Sequence, residues 1–185
     1  SIYNKEKAIV FNTIQFYRKN AFELLELAHQ DAIINHYSYG VKMVRGAYME
    51  KERERAIQFK YESPIHTTKQ NTDDCYNKGL KYCIDNKSTI ALVAGTHNEF
   101  SSQFLAENIN LEEPNIFFAQ LYGMSDHISY TLSKAGYNVA KYVPYGPVKS
   151  VLPYLFRRAE ENTSIAGQTG RELSLIQKEL KRRKG

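Results

Sequence analysis

The chain has 185 residues, 42% hydrophobic and 24% charged, an ordinary globular composition with enough length for one domain and a real core. No apolar run reaches the length of a membrane span, and the polar start SIYNKEKAIVFN is not a signal peptide. The net charge of +5 is concentrated in KELKRRKG at the end, where a solvated helix terminus complementing its dipole is favoured over a phosphate or anionic-membrane contact.

Five short apolar runs, each ending in glycine or polar residues, read as buried strands at 8–17, 39–48, 89–98, 115–123 and 138–146. Helical spacing appears between them, at 20–36, in EKERERAIQF after the second strand, at 72–86, 99–111 and 126–136. Thr72 and Asp73 supply N-cap chemistry for the third of these, and Gly136 is placed to end the last. Strict β-α alternation with near-continuous apolar strands predicts a parallel sheet with helices outside, an α/β fold. Neither GxGxxG nor GxxxxGK[ST] follows any strand, so the nucleotide-binding fingerprints of open sheets are missing. Five strands do not close an eight-stranded barrel. The chain is therefore expected to be an open sheet or the C-terminal part of a barrel, and the absence of an initiator Met favours a fragment.

In such folds chemistry gathers at the C-terminal strand ends. Those ends carry Gln15; Lys42 with Arg45-Gly46-Ala47-Tyr48; Thr96-His97-Asn98; Gln120, Leu121 and Tyr122; and Lys141, Tyr142 and Tyr145. Together they make a polar and aromatic rim. Lys42 interrupts an apolar strand, a costly place for an unpaired cation. Gly46 and Ala47 let a backbone approach a ligand closely, and Arg45 adds charge suited to a phosphate. No Ser-His-Asp or Cys-His arrangement, no carboxylate pair at adjacent strand ends and no metal-ligand spacing is readable, Cys75 and Cys83 included. Cations, amides, hydroxyls and rings suit a large anionic cofactor and a small anionic substrate, with the hard chemistry left to the cofactor. Nucleic-acid binding by the basic tail and the 14 tyrosines lacks any recognised motif and is not expected.

VKMVRGAYMEKERERA, GTHNE, FFAQLYGMSDHISY and KYVPYGPVKSVLPYLFRRAEEN resemble proline dehydrogenase, the FAD-dependent first enzyme of proline catabolism, and the likeness runs across essentially all 185 residues. It implies a distorted (βα)8 TIM-like barrel, of which residues 1–185 correspond to strands four to eight and the final helix, with the first three strands absent. It also implies oxidation of L-proline to Δ1-pyrroline-5-carboxylate, with hydride passing from proline C5 to flavin N5 and electrons leaving to a membrane quinone. Gln15 and Lys42 then contact the flavin, Lys42 at N5, where a cation favours the reduced form. Arg45, Gly46 and Ala47 follow the flavin and its phosphates; Thr96, His97 and Asn98 form the next cofactor-binding strand end; Thr67 and Lys69 approach the adenosine end. Tyr48, Leu121, Tyr142 and Tyr154 wall the proline ring. Arg157 and Arg158 hold the substrate carboxylate, with Glu161 as their partner in that helix and a member of the cofactor-side set. The bulk of Tyr142 favours proline over 4-hydroxyproline, leaving hydroxyproline dehydrogenase as the runner-up. The implied setting is the bacterial cytoplasm, peripheral on the inner membrane, or the matrix side of the inner mitochondrial membrane. A polypeptide limited to these residues is expected to bind FAD weakly or not at all, to turn nothing over, and to self-associate through exposed strand edges, an inactive fragment.

Overall fold

The computed structural model describes residues 2–111, 113–164 and 168–184, and their side chains except those of 157–173, 175 and 184. Five strands, β1 (Asn12–Gln15), β2 (Tyr39–Val44), β3 (Ile90–Gly95), β4 (Ile116–Leu121) and β5 (Val139–Tyr142), form one sheet in the order β1-β2-β3-β4-β5. The pairs β1–β2, β2–β3 and β3–β4 are parallel, which requires a crossover after each strand. The expected α/β arrangement is present, with more than one helix at two connections. After β1 comes α1 (Ala21–Ile34); after β2 come α2 (Met49–Phe59) and α3 (Lys69–Asp85). Then α4 (Glu99–Glu107) follows β3, α5 (Asp126–Lys134) follows β4, and α6 (Val148–Ser164) and α7 (Gln168–Lys184) follow β5. The chain divides into two compact units, Ser1–Lys141 and Tyr142–Gly185.

Local chemistry explains where the elements begin. The first strand is shorter than its apolar run, because Asn4 captures the segment before it. The Asn4 side chain accepts from the amides of Ile9 and Val10 and donates to the Val10 carbonyl. Helix α3 starts four residues ahead of the expected Thr72–Asp73 cap. Thr68, in extended conformation, accepts the Asn71 amide, so Thr72 becomes a buried helical residue. Gly136, at φ 98°, ends α5 as its sequence position suggests. Pro147 precedes α6, while Pro153 lies inside it.

Strand alternation sorts side chains between two faces. Val41 and Met43 of β2, Leu92 and Ala94 of β3 and Phe118 of β4 join Leu25 of α1, Tyr76 and Leu80 of α3 and Leu105 of α4 in one buried cluster. Each fully buried Leu or Phe there contributes about 1.5–3 kcal/mol. The cysteines are free; burial pushes the Cys83 thiol up to about 12 and also raises Cys75, so neither is a ready nucleophile.

The α3 layer lies close to the sheet because residue 79 is glycine. A Cβ there would stand 2.6 Å from Phe16 Cε1 and 2.7 Å from Met43 Cε. Helix propensity favours Ala over Gly by about 1 kcal/mol. Overpacking costs about 1–3 kcal/mol, and Phe16 and Met43 are fully buried and have nowhere to retreat. Gly79→Ala is therefore expected to destabilise the protein by up to about 2 kcal/mol, read as a lower urea midpoint; a higher midpoint shows that the layer yields.

A buried polar bridge supports the same layers. The His29 ring of α1 hydrogen-bonds through Nδ1 to the Tyr82 hydroxyl at 2.9 Å and through Nε2 to the Thr89 hydroxyl at 2.8 Å. Burial lowers its pKa below 6.5. The unfolded chain therefore takes up a proton that the folded chain resists, and stability present above pH 6.5 declines as pH falls below it. Denaturant midpoints at neutral and mildly acidic pH should diverge more in the wild type than in His29→Gln; equal divergence in both would remove His29 from the account.

Candidate functional site

The alternation that buries Val41 and Met43 turns Lys42 to the opposite face of the sheet. Register carries neighbours with it. Lys42 stands between Thr13 of β1 and Val93 of β3, and Gln15 stands beside Val44. On β3, Val93 and Gly95 share this face, and on β4 Ala119 and Leu121 do, because the residues between them pack toward the helices. Thus Gln15, Lys42 and Leu121, from three strands, share one face. Gly95 shapes it. A Cβ at residue 95 would lie 3.6 Å from Lys42 Cε and 3.0 Å from Val44 Cγ1 and the Met43 carbonyl oxygen. The methyl is absent where it would crowd Val44 and the Met43 carbonyl, and the Lys42 stem runs alongside.

The end of β2 behaves differently from its sequence reading. Arg45 has the parity of Met43 and reaches toward the helices. Its Nε donates to Asp73 Oδ1 at 2.5 Å, Nη1 to Thr96 Oγ1 at 2.6 Å and Nη2 to Ser101 Oγ at 2.9 Å, with the guanidinium 4.3 Å from the Tyr76 ring centre. Gly46, at φ 122°, does admit a close approach, but by a side chain of the same protein. A Cβ there would stand 1.5 Å from Tyr17 Cδ1, so the Tyr17 ring occupies that side of the backbone. The amide of Tyr17 donates to the Arg45 carbonyl at 2.7 Å and prolongs the β1–β2 ladder past the strand ends. Ala47 follows, half-buried, and Tyr48 opens α2 with its ring 6.0 Å from Lys51 Nζ. Beside Gln15 lies a polar cleft of about 290 Å³ lined by Tyr17, Arg18, Glu52, Pro64 and Ile65. Burial first, then the Glu52 charge, raise the Tyr17 hydroxyl's pKa and keep it protonated.

At the end of β3, Thr96 is buried and turned to the helix side; its hydroxyl also accepts the Asn98 amide at 3.1 Å. Asn98 caps α4, its side-chain oxygen accepting the Ser101 amide at 2.9 Å. His97 Nδ1 is hydrogen-bonded to Ser125 Oγ at 2.9 Å. Ser125 is buried and left-handed, at φ 51°, a conformation uncommon outside glycine, and its hydroxyl meets His97 instead of capping α5. Two further groups expected in the polar rim belong to the helix side, as Arg45 and Thr96 do. Gln120 is buried, accepting from Ser129 Oγ and donating to the Thr96 carbonyl. Lys141 donates to the Met124 carbonyl at 2.8 Å and pairs with Asp126 at 2.7 Å.

Thr67 and Lys69 lie at the start of α3, exposed; Thr67 Oγ1 accepts from Asn71, and Lys69 Nζ pairs with Asp73 Oδ2 at 2.5 Å. Asp73 is thus shared by Arg45 and Lys69. Burial pushes its carboxyl up, but the hydrogen bonds from Lys69 and Arg45 outweigh this and hold it below its ordinary value. Ser101 and Ser125 escaped the sequence reading, and Asp73 was read there only as part of a helix cap. For Asp73 a signal existed, the Lys69–Asp73 spacing of four on one helix.

In the second unit, the rings of Tyr142 and Tyr154 lie 5.7 Å apart, tilted by 60°, as one aromatic surface. Arg157, Arg158 and Glu161 fall within the span of α6, and their side chains lie outside the described residues.

A family model described as proline dehydrogenase matches residues 2–171. The mitochondrial proline dehydrogenase 2 of Arabidopsis thaliana is 46% identical over 97% of this chain and 40% of its own length. The hydroxyproline dehydrogenase of Xenopus laevis is 40% identical over 97% of this chain and 41% of its own. Among solved structures, proline utilization A of Bdellovibrio bacteriovorus superposes with a TM-score of 0.79 at 30% identity, covering 87% of this chain and 17% of that one. The chain thus spans about two fifths of the length of these curated relatives. With the family model covering all but its ends, and with the sheet, its crossovers and the strand-end motifs in agreement, the chain belongs to the proline dehydrogenase family.

Proposed function

We propose that this chain is the C-terminal part of a proline dehydrogenase barrel and contributes to the oxidation of L-proline to Δ1-pyrroline-5-carboxylate. The remaining strands are assigned to the portion of the longer relatives that this chain does not span. The observation that carries the reading is the convergence of Gln15, Lys42 and Leu121 on one face of a parallel sheet, within a chain of this family.

That face fits a flavin. Gly95 and Ala119 keep it low, Gln15 offers an amide, and Lys42 places an ammonium on a stem that runs beside Gly95. When bound, FAD would supply a two-electron acceptor for the hydride of the substrate. The chain's own residues would do the rest. Lys42 would balance the negative charge that develops on electron transfer. Leu121, Tyr48, Tyr142 and Tyr154 would wall the proline ring and exclude water. His97, held by Ser125, and Asn98, held at the start of α4, would border the cofactor. Arg45 supports that border from behind. Arg157 and Arg158 are assigned to the substrate carboxylate, for which their paired planar donors suit better than lysine, with Glu161 beside them. The electrons are proposed to pass to a membrane quinone with the protein held peripherally; among the described residues no helix is long and apolar enough to cross a membrane. The name of the Arabidopsis relative favours the mitochondrial setting over the bacterial one.

A hydroxyproline dehydrogenase is the second reading, favoured by the Xenopus relative. The bulk of Tyr142, backed by Tyr154, favours proline, because an added ring hydroxyl would meet an aromatic surface.

In the natural protein that carries this chain, loaded with FAD, anaerobic L-proline is expected to bleach the visible flavin absorbance, with kcat/KM higher on proline than on 4-hydroxyproline. Bound flavin that proline leaves unbleached overturns the assignment, and a reversed preference moves it to the second reading. Arg157→Met or Arg158→Met is expected to raise KM for proline at least about 30-fold, the loss of about 2 kcal/mol for a charged partner, while FAD stays bound. An unchanged KM removes the arginine pair from the substrate site.

A further inference from the structure

Asp73 is assigned no role above, yet it is the anion on which the ends of β2 and β3 converge. Arg45 leaves β2 and meets three elements at once. These are Asp73 on the first turns of α3, Thr96 at the end of β3 and Ser101 on the first turn of α4. The side chains of Arg45 and Asp73 are only 21% and 14% exposed. Two hydroxyls and a ring face do not neutralise a guanidinium largely removed from water; a carboxylate does. From Arg45 the hydrogen bonds continue. Thr96 Oγ1 takes the Asn98 amide, Asn98 Oδ1 takes the Ser101 amide, and Ser101 Oγ donates to Asn77 Oδ1 at 2.6 Å. The circuit returns to α3, which carries both Asp73 and Asn77. The turn at 96–98 is therefore held from one side by the strand and from the other by a charge pair.

We propose that Asp73 is a positioning residue, which fixes the Arg45 guanidinium in its inward pose and through it sets the turn that presents His97 and Asn98. Its meaning for the cofactor rests on the flavin reading given above. Two features separate this from simple packing. Asp73 also binds Lys69, so its charge is shared and cannot be supplied by an amide of the same shape. The fork of Arg45 serves three acceptors in different directions, which a lysine ammonium cannot reproduce.

Hydrogen exchange on the natural protein that carries this chain tests the claim without added cofactor. In Asp73→Asn the amides of Asn98 and Ser101 should exchange at least about tenfold faster than in the wild type, while that of Leu92, bonded to the Asn115 carbonyl in the body of the sheet, keeps its rate. Asp73→Glu should restore most of the protection. Unchanged rates at Asn98 and Ser101 overturn the proposal. Should Asp73→Asn unfold the whole chain, Arg45→Lys, which keeps the charge and loses the fork, decides the matter: selective release of the same two amides supports the positioning role, and wild-type protection there overturns it. FAD titration of the natural protein that carries this chain, followed by quenching of flavin fluorescence, separates the two layers of the argument. At least tenfold weaker binding in Asp73→Asn joins them. Absence of flavin binding in the wild type, with the exchange result intact, leaves the positioning role standing and counts against the flavin reading.

Discussion

The period of two along β2 is the constraint from which the rest follows. Tyr39, Val41 and Met43 must face the helices, because they are the apolar half of a strand paired on both sides. Lys42 is then forced to the other face, and a one-residue slip would exchange the two sets at once. The register transmits the choice outward. Thr13 and Val93 flank Lys42, and Ala94 pairs with Met43 on the core side. The core therefore decides where the charge goes, and the site needs no separate device to orient its strand.

Packing and chemistry are linked through glycines for the same reason. Gly79 brings α3 onto Phe16 and Met43, and α3 carries Asp73 at its start. A helix held farther from the sheet would carry Asp73 away from Arg45, and a hydrogen bond tolerates only a few tenths of an ångström. Gly95 acts on the other face, where an added methyl would crowd Val44 and the Met43 carbonyl and approach the Lys42 stem. In the sequence Gly79 follows Lys78 and Gly95 follows Ala94, and neither setting announces a close approach. Only the neighbour that fills the missing Cβ tells them apart.

The strands, the crossovers and their order were legible because apolar runs bounded by polar residues are a local signal. The start of α3 was not, since Thr68 and Thr72 offer the same hydroxyl and only the geometry of Asn71 chooses between them. Gly46 was read as room for a ligand, and the Tyr17 ring uses that room, a contact between residues 29 positions apart that no local pattern announces. Both helices after β2 were legible, in EKERERAIQF and at 72–86, and 60–68, with Lys60 at φ 55° and Pro64, separates them. The placement of Arg157 and Arg158 rests on motif alone.

The polar rim taken from the strand ends separates into two sets by parity. Gln15, Lys42 and Leu121 share the parity of residues turned from the helices, while Arg45, Thr96, Gln120 and Lys141 share that of the core positions two residues before them, Met43, Ala94, Phe118 and Val139. Each member of the second set meets helix-side partners, namely Asp73 and Ser101 for Arg45, the Arg45 fork and the Asn98 amide for Thr96, Ser129 for Gln120, and Asp126 for Lys141. A polar group emerging on the helix side of a parallel sheet enters a layer with little water, so it must be satisfied by the first turn of a helix, and helix starts supply the hydroxyls and carboxylates that do so. The helix-side set thus makes a frame in which the ends of β2 to β5 are each tied to a helix that follows or lies beside them. The opposite face is left to display a short list of side chains at fixed spacing. Polarity at a strand end identifies both sets equally; parity relative to the buried positions identifies which of them can meet a ligand.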